Sequence, residues 1–349
     1  MTPIRTAILS FGMSGRVFHA PFIHLNPAFE LVGVWERTQS ASLEFYPHIK
    51  IYRSLEEILE DPIIDLVIVN TPTYTHFEYT KKVLLAGKHA VVEKAFTTTV
   101  AEAKELDKIA TEKNLKLSVF QNRRWDSDFK TVKQVIDQGL LGKIVEAEIH
   151  FDRFKDELSP KLHKEIPGPG AGVLYDLGPH LIDQTVFLFG MPEAVFSDIR
   201  ITRTASQVDD YFEVLLYYPK LRVRLKAGYQ VREAVAAYII HGNLGSFLKS
   251  RGDIQEVDLV ANKKPIGNEW GTEPIEEQGL LHTKKNGKVI REKIPTLQGD
   301  YCGYYAAVAD AIMNNTEMPV TAKDGIHVLQ IIDAAFKSNQ EKKLISIHY

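Results

Sequence analysis

The stretch AILSFGMSGRVFH, residues 7–19, decides the fold that the sequence predicts. Its first residues form an apolar run typical of a buried strand, and Gly12 and Gly15 then mark a tight turn that opens a helix. A glycine turn between a strand and a helix is the pattern that accommodates a dinucleotide pyrophosphate. Gly12 would let the phosphates approach the backbone, and Gly15 would let the helix pack closely against the strand. Ser10 stands where the pattern usually has its first glycine, which is tolerable unless the position needs a positive φ.

Strand and helix signals alternate through residues 1–122, and this predicts a doubly wound parallel sheet with helices on both faces. The run DLVIVN, residues 65–70, is apolar at successive positions, as in a strand buried on both faces. Three capping boxes predict helix starts, at Ser54/Glu57, Thr75/Glu78 and Thr99/Glu102. The predicted strands are 6–11, 29–34, 50–52, 65–70, 88–92 and 115–120.

Beyond residue 122, after a predicted helix, most apolar residues alternate with polar ones, so the apolar period is two residues. In KIVEAEIHF, residues 143–151, Val145, Ala147, Ile149 and Phe151 share one face, while Glu146, Glu148 and His150 share the other. This alternation is typical of an antiparallel sheet with one buried face, so we expect a second domain over 123–349. Its predicted helices are 127–138, 173–189, 301–314 and 322–338, with a loop-rich segment at 251–285 and an Asn286-Gly287 hairpin.

The composition of the 349 residues is that of an ordinary globular protein, with a formal net charge of -3. That charge gives no reason to expect a nucleic-acid partner. The single cysteine, Cys302, excludes an internal disulfide and zinc sites built on several thiolates, and the scattered histidines have no ligand spacing, so we predict no metal. The chain opens without an apolar leader, and no apolar run approaches the ~20 residues of a membrane helix, so we expect a cytoplasmic protein.

The end of the second predicted strand bears on which dinucleotide binds. Glu36 lies about 20 residues beyond the glycine turn, where an acid can accept hydrogen bonds from the ribose hydroxyls and repel a 2′-phosphate. Its neighbour Arg37 could instead pair with that phosphate, lie along the adenine, or be a solvated surface charge. The sequence therefore favours NAD and leaves NADP open.

Four motifs carry a resemblance that spans nearly the whole chain. They are NTPTYTH at 70–76, VVEKAF at 91–96, QNRRWDSDF at 121–129 and LYDLGPHLIDQ at 174–184. With the glycine turn, they make the chain similar to the glucose-fructose oxidoreductase / inositol dehydrogenase / MocA (Gfo/Idh/MocA) family, its scyllo-inositol dehydrogenase-like branch in particular. The resemblance implies an N-terminal Rossmann domain and a C-terminal α+β domain with a large open, mostly antiparallel sheet, often buried in homodimers or homotetramers.

The same resemblance assigns catalytic roles to Lys94, Asp176 and His180. A histidine can take the proton of a secondary alcohol, and an ammonium stabilises the alkoxide-like oxygen. Asp176 and His180 are four residues apart, so a helix would place them on one face, with Asp176 orienting the imidazole. Pro179 fits only in the first helical turn, for which Asp176 would be the N-cap. Ala95 departs from the family's proline, and this puts the positioning of Lys94 in doubt.

Further residues are expected at the site by resemblance and position. Thr71, Pro72 and His76 would flank the nicotinamide, although His76 could equally be a surface residue at a helix start. Arg124 and Trp125 could bind a sugar, or could be an interdomain ion pair beside a core tryptophan, and Asp183 is expected to be a structural partner. The full predicted cofactor set is Phe11, Gly12, Met13, Ser14, Gly15, Glu36, Arg37, Asn70, Thr71, Pro72, His76, Glu93, Lys94 and Asn122; the substrate set is Arg124, Trp125, Asp152, Arg153, Asp176 and His180.

These residues predict an NAD(P)-dependent dehydrogenase or reductase that acts at a ring C–OH or C=O of a cyclitol, sugar or sugar derivative. Two alternatives stay open. One is a relative that uses bound NAD transiently to cleave a glycosidic bond, without net formation of NADH. The other is a nucleotide-sensing interaction protein that has kept the fold and lost the chemistry.

Overall fold

The computed structural model describes residues 2–159 and 164–348, which group into two units. The first unit comprises Met1–Asn122, Gln255–Trp270 and Asp300–Ile326. The second comprises Arg123–Ile254, Gly271–Gly299 and His327–Tyr349. The predicted single break after residue 122 is therefore incomplete, because two later segments return to the first unit.

The sheet of the first unit has six strands, all parallel, in the order β3-β2-β1-β4-β5-β6. This is the doubly wound arrangement that the alternating pattern predicts. The strands are β1 Ile4–Ile8, β2 Phe29–Trp35, β3 Lys50–Tyr52, β4 Leu66–Val69, β5 His89–Val92 and β6 Leu117–Val119. The helices are α1 Ala20–Leu25, α2 Leu55–Glu60, α3 His76–Leu85 and α4 Val100–Glu112, followed later in the chain by α8 Gln255–Val260 and α9 Tyr301–Met313.

Two of the three predicted capping boxes start helices through their hydroxyl groups. Ser54 accepts from the Glu57 N–H at 3.2 Å, and Thr99 forms the complete reciprocal box with Glu102. Thr75 does not cap α3, so this prediction is wrong: its hydroxyl donates to the Pro72 carbonyl at 2.7 Å. A short 3₁₀ turn, Thr73–Thr75, precedes the helix, and the Thr75 hydroxyl is used in the hydrogen bond to Pro72 at the start of that turn.

Aromatic packing explains why residues 300–326 belong to the first unit. Tyr304 and Tyr305 are fully buried; the ring of Tyr305 stacks on Phe22, with centroids 5.8 Å apart, and Tyr304 meets Phe120 edge to face. The Tyr304 hydroxyl also bonds the Ser118 hydroxyl at 2.9 Å. Burying two large aromatic rings against α1 and the end of β6 stabilises this return of the chain.

The second unit contains a nine-stranded sheet in the order β14-β13-β12-β11-β7-β10-β9-β8-β15. Every neighbouring pair is antiparallel except β7 and β10, which confirms a large, mostly antiparallel sheet. The strands are β7 Ile144–Asp152, β8 Ala194–Arg200, β9 Tyr211–Tyr217, β10 Arg222–Gly228, β11 Tyr238–Gly242, β12 Gly245–Lys249, β13 Gly279–Lys285, β14 Lys288–Ile294 and β15 Ile345–Ser346. The helices are α5 Ser127–Asp137, α6 Val173–Asp176, α7 Gly178–Phe189 and, from His327 onward, the greater part of α10 Ala322–Glu341.

The sheet follows the predicted period of two, with one buried face. Ala147, Ile149 and Phe151 of β7 join the core beneath the helices, whereas Val145 at the start of the strand is 47% exposed, contrary to its predicted place in that set. The Asn286-Gly287 hairpin is confirmed, with both residues at positive φ between paired Lys285 and Lys288. The segment 251–285 is more regular than predicted, since it contains α8 and β13.

The predicted helix over 173–189 is broken in two. α6 ends at Asp176, Leu177 is the N-cap of α7, and Pro179 lies in the first turn of α7. Proline has no N–H to donate to a carbonyl four residues earlier, so a continuous helix would lack that hydrogen bond. The N-cap is therefore Leu177 rather than the predicted Asp176, while the predicted place of Pro179 is confirmed.

Within the described residues, no helix combines the length and the apolar character that crossing a membrane requires.

Candidate active site

A cleft of about 610 Å³ opens in the first unit, where β1, β2 and β4 end. Six residues of the predicted cofactor set line it: Phe11, Gly12, Glu36, Arg37, Thr71 and Pro72. Ligands of open parallel sheets lie at the carboxyl ends of the strands, so this is the expected place for a dinucleotide. The sequence reasoning did not include Trp35, Thr38, Gln39, Tyr74 and Tyr79, which also line the cleft.

The two glycines of the turn have different roles. A Cβ on Gly15 would lie 1.9 Å from the Ser10 carbonyl oxygen, so only glycine fits there. A Cβ on Gly12 would meet only the Ser10 hydroxyl, at 3.6 Å, so packing does not require a glycine at this exposed position. Ser10 itself does not take a positive φ, and its carbonyl accepts from the Asn70 side chain at 2.8 Å. The missing first glycine therefore leaves the turn intact.

The start of the following helix fits a phosphate ligand. The chain enters π-helical turns at Ser14–His19, and no side chain caps their first N–H groups; Met13, just before them, is 42% exposed. Such N–H groups attract anions. The Asn70 Oδ1 atom nearby is buried and has no hydrogen-bond partner among the residues described here. Open backbone at Gly12, uncapped N–H groups and an unsatisfied amide oxygen together suit a bound dinucleotide.

The carboxylate of Glu93, directly after β5, connects the turn after β1 to the end of β5, on the far side of β4. Its Oε1 accepts from the Ser14 hydroxyl and lies 3.1 Å from His19 Nε2, and its Oε2 accepts from the Lys94 N–H at 3.1 Å. His19 is fully buried, and its Nδ1 contacts the Tyr305 hydroxyl. Ser14 and Glu93, both predicted to bind the cofactor, thus bind each other and fix the backbone before Lys94.

The environment of Glu93 keeps its carboxylate charged. Burial alone would raise its pKa, but the hydrogen bond and charge of His19, with Ser14 and Lys94, outweigh this and lower the pKa to about 2.

His76 braces the same region and is not a surface residue. Its ring is buried, with Nδ1 2.8 Å from the Ala95 carbonyl oxygen and Nε2 2.8 Å from the Thr71 carbonyl oxygen. Burial lowers the pKa of His76, against the opposing effect of the Ala95 and Thr71 carbonyls. The imidazole therefore joins the two turns that follow β4 and β5. The peptide bond between Lys94 and Ala95, within the second turn, is cis.

Glu36 lines the cleft, and its carboxylate also has partners within the chain that the sequence did not predict. Its carboxylate accepts hydrogen bonds from the Ala41 N–H at 2.9 Å, from the Ser42 N–H at 3.1 Å and from the Ser42 hydroxyl. It thereby caps the short 3₁₀ turn Ala41–Glu44 and is only 9% exposed. Arg37, by contrast, is exposed at the cleft.

The second unit holds the other two residues of the predicted catalytic set. His180 is buried in the first turn of α7, four residues after Asp176. Asp176, at the end of α6, is partly exposed; its Oδ1 accepts from the Lys164 ammonium at 2.7 Å, and its Oδ2 lies 3.4 Å from the Tyr229 hydroxyl. The orientation of His180 by Asp176 stays a prediction.

The geometry around Arg124 favours a structural role. Its guanidinium forms a two-pronged ion pair with Asp183, at 2.8 and 2.7 Å, and stacks over Phe187. Both partners lie in the second unit and are buried, so this pair is not the interdomain one considered above. Trp125 is half-buried, and Asn122 is buried in the first unit.

Asp152 and Arg153, at the end of β7, remain available for a ligand. Asp152 Oδ2 contacts His150 Nδ1 at 3.2 Å, while its Oδ1 is buried without a hydrogen-bond partner within the described segments. Arg153 is exposed over the ring of Phe151. In residues 2–159 and 164–348, no group of three or more His, Cys, Asp or Glu side chains could hold a metal ion.

Sequence reasoning missed His19 and its contact with Tyr305, although it interpreted Tyr305 as a packing residue of its helix. His19 follows the glycine turn, but a histidine at a helix start carries no signal of a buried contact. Tyr305 lies 286 residues further along the chain, so only the fold reveals their contact.

A parallel dinucleotide-binding sheet, a glycine turn with an open cleft and a second mixed sheet define a nicotinamide-dependent oxidoreductase. Comparison with known proteins agrees. Residues 4–121 match the NAD-binding Rossmann fold of an oxidoreductase family, and residues 133–347 match the C-terminal alpha/beta domain of the same family. The chain belongs to the Gfo/Idh/MocA family.

Similar proteins match along the whole chain. The scyllo-inositol 2-dehydrogenase (NADP(+)) IolW of Bacillus subtilis is 40% identical over 347 residues, covering 99% of this chain and 96% of IolW. An oxidoreductase crystal structure from Bacteroides fragilis is 44% identical in sequence to this chain. The two match with a TM-score of 0.91 over 99% of this chain and all of the other. The structure of yvaA from Bacillus subtilis has 38% identity and a TM-score of 0.95, over 99% of both chains.

Substituting the two glycines separately distinguishes packing from ligand contact. We expect Gly15→Ala to lower the free energy of unfolding by about 1–3 kcal/mol, because its methyl group would overlap the Ser10 carbonyl. Gly12→Ala should change stability by less than about 0.5 kcal/mol yet weaken dinucleotide binding at least about tenfold by occupying the cleft. Urea unfolding and fluorescence titration with NADPH measure the two effects. Equal dinucleotide affinity in Gly12→Ala and the wild type would contradict this assignment.

The charge on Glu93 predicts a pH-dependent contribution to stability. Glu93→Gln should lower the free energy of unfolding at pH 7 by a few kcal/mol. Because the folded-state pKa is below the ordinary glutamate value of 4.5, this difference from wild type should persist above about pH 4.5 and shrink as the pH falls towards 2. Urea unfolding across this pH range measures it, with Glu105→Gln, in an exposed ion pair with Lys81, as the control. A difference that grows on acidification would show that the sign is wrong.

Proposed function

We propose that this protein transfers a hydride between a nicotinamide dinucleotide and a ring C–OH or C=O group of a cyclitol, sugar or sugar derivative. The observation that carries the proposal is the carboxyl edge of the parallel sheet, where a cleft opens at β1, β2 and β4 and where Lys94 lies two residues beyond the end of β5. The match to IolW, a named scyllo-inositol dehydrogenase, supports the substrate class.

The nicotinamide ring supplies the acceptor or donor for the hydride. The protein must then handle the proton and the negative charge on the substrate oxygen. We assign the charge to Lys94, whose ammonium stabilises an alkoxide-like oxygen electrostatically. The hydrogen bonds of Glu93 and His76 to the backbone of Lys94 and Ala95 hold the backbone of this lysine in place.

We assign the proton to His180, which acts as general base when the alcohol is oxidised and as general acid when the carbonyl is reduced. Asp176 orients the imidazole or binds a neighbouring substrate hydroxyl. Asp152, with its buried unsatisfied oxygen, is a further acceptor for a substrate hydroxyl.

We infer that the cofactor is NADP rather than NAD. The backbone of Gly12 and the uncapped N–H groups after it would bind the pyrophosphate. Asn70, Thr71 and Pro72 would lie towards the nicotinamide. The case for NAD rested on Glu36, and its carboxylate is committed to Ala41 and Ser42. Exposed Arg37 can pair with a 2′-phosphate, and IolW is named for NADP(+).

We further propose a cytoplasmic homo-oligomer joined through the outer face of the nine-stranded sheet. That face carries half-exposed Tyr211, Leu215 and Tyr217 and the 39% exposed Phe196, with charged side chains such as Glu213 and Arg224 among them. A surface that mixes aromatic and charged side chains is of the kind found at interfaces between protein subunits. Sedimentation equilibrium should give a multiple of 39.5 kDa. A mass of one chain at micromolar concentration would contradict this.

A double-mutant cycle tests whether Lys94 and His180 act in the same step. We expect Lys94→Ala and His180→Ala each to lower kcat by about 10²–10⁴-fold, and the double variant to lose little more than the worse single one. The assay follows NAD(P)H absorbance with inositols, aldoses and keto-sugars, and exposed Lys104→Ala is the control. Multiplicative losses would assign the two residues to separate steps, and sugar release without net NAD(P)H would favour a glycosidase.

Arg37 should set the preference for NADP. Arg37→Ala should lower the ratio of kcat/KM for NADP to that for NAD at least about tenfold, because the 2′-phosphate loses its cationic partner. Steady-state kinetics with both dinucleotides measure the ratio, and Lys104→Ala should leave it unchanged. A wild-type enzyme that prefers NAD would refute the proposed cofactor.

A further inference from the structure

The second unit contains a cavity of its own, about 230 Å³ in volume, beside Asp176. It is smaller than the roughly 300–1,000 Å³ that drug-sized ligands occupy, so it suits one substituent of a larger molecule. Four cationic side chains line it: Arg153, Lys155, Lys164 and Arg203.

Two of these cations are already neutralised. Arg203 is 3% exposed and pairs with Asp210 at 2.9 Å and with Glu165 at 3.0 Å. Lys164 pairs with Asp176 at 2.7 Å. These pairs build the wall of the cavity and leave those two cations little capacity to bind a ligand.

The other two cations of the cavity, Arg153 and Lys155, can still bind a ligand. Among the described residues, neither Arg153 nor Lys155 forms a salt bridge, and both are exposed. The four residues outside the described part of this segment, 160–163, include no acidic residue in the sequence. Glu165 and Asp176, which also line the cavity, are paired with Arg203 and Lys164, so Arg153 and Lys155 are the two cations there that can still attract an anion.

The rest of the cavity is held firmly. Gly172 has a φ of 91°, and a Cβ there would lie 1.9 Å from Asp209 Oδ1. Asp209 Oδ2 accepts from the Leu174 N–H at 2.8 Å, and Tyr229 lies between the guanidinium of Arg203 and Asp176. Burial raises the pKa of Asp209 to about 6, so its repulsion of an anion is weakened near that pH.

We propose that this cavity binds a negatively charged substituent, a carboxylate or a phosphate, of the sugar whose ring carbon reacts, through Arg153 and Lys155. The proposal rests on the proposed function, since Asp176 both lines the cavity and belongs to the catalytic set. The substrate is then a sugar acid or a sugar phosphate rather than a neutral cyclitol. The forked donors of arginine and the ammonium of lysine suit both anions.

Three ligands with the same ring test the charge: D-glucose, D-glucuronate and D-glucose 6-phosphate, with D-galactose and D-galacturonate as a second stereochemical series. Binding is measured by calorimetry in the presence of NADPH, and kcat/KM by absorbance. The variants are Arg153→Gln, Lys155→Gln and their double variant; Lys220→Gln, an exposed cation outside the cavity, is the control.

We expect wild-type protein to prefer at least one anionic sugar over its neutral parent by tenfold or more, and the double variant to lose most of that preference. A preference for the uronates identifies a carboxylate site, and one for the 6-phosphate a phosphate site. Turnover of neutral sugars with no anion preference would overturn the inference and leave the proposed function standing. Anion binding that the double variant abolishes, without any turnover, would support the cavity and refute the dehydrogenase; absence of both preference and anion binding would overturn the inference.

Discussion

The first unit depends on one largely buried carboxylate. Glu93 receives hydrogen bonds from the turn after β1, through Ser14 and His19, and from the backbone of the residue after it, Lys94. These contacts join strand ends that lie on either side of β4. A buried charge is unfavourable unless it is paired and hydrogen-bonded, and here each oxygen has a partner. The glycine turn and the backbone of the proposed catalytic lysine are therefore fixed by the same side chain.

The first unit is completed by residues distant in sequence. Tyr305 contacts His19, and Tyr304 bonds Ser118 at the end of β6, so the core beside the glycine turn needs α9. A fragment cut after residue 122 would expose Phe22 and Phe120, which these tyrosines cover. The two units are thus interleaved along the chain, and chain order alone does not define the domains.

The parallel sheet and the hairpin were predictable because their signals are local: glycine at defined turn positions, continuous apolar runs and Asn286-Gly287. The residues predicted at the cleft followed from strand ends, since those ends must share one edge of the sheet. Other features required tertiary structure. Thr75 found a nearer acceptor in the Pro72 carbonyl, and Arg124 found Asp183 on a helix 59 residues away. The roles of His19 and Asn70 can be recognised only when their hydrogen-bond partners are known, and the spacing of residues in the sequence does not reveal those partners.

The inward-facing Glu36 has a consequence for redesign. An acid at the end of the second strand is commonly read as the switch between the two dinucleotides, and replacing it is the usual first attempt to reverse that choice. In this protein the residue lines the cleft and caps the loop at the 3₁₀ turn Ala41–Glu44, whose first residue lines the same cleft. Its removal would loosen that loop before it altered any discrimination, so reprogramming has to start from the exposed neighbours and keep the acid.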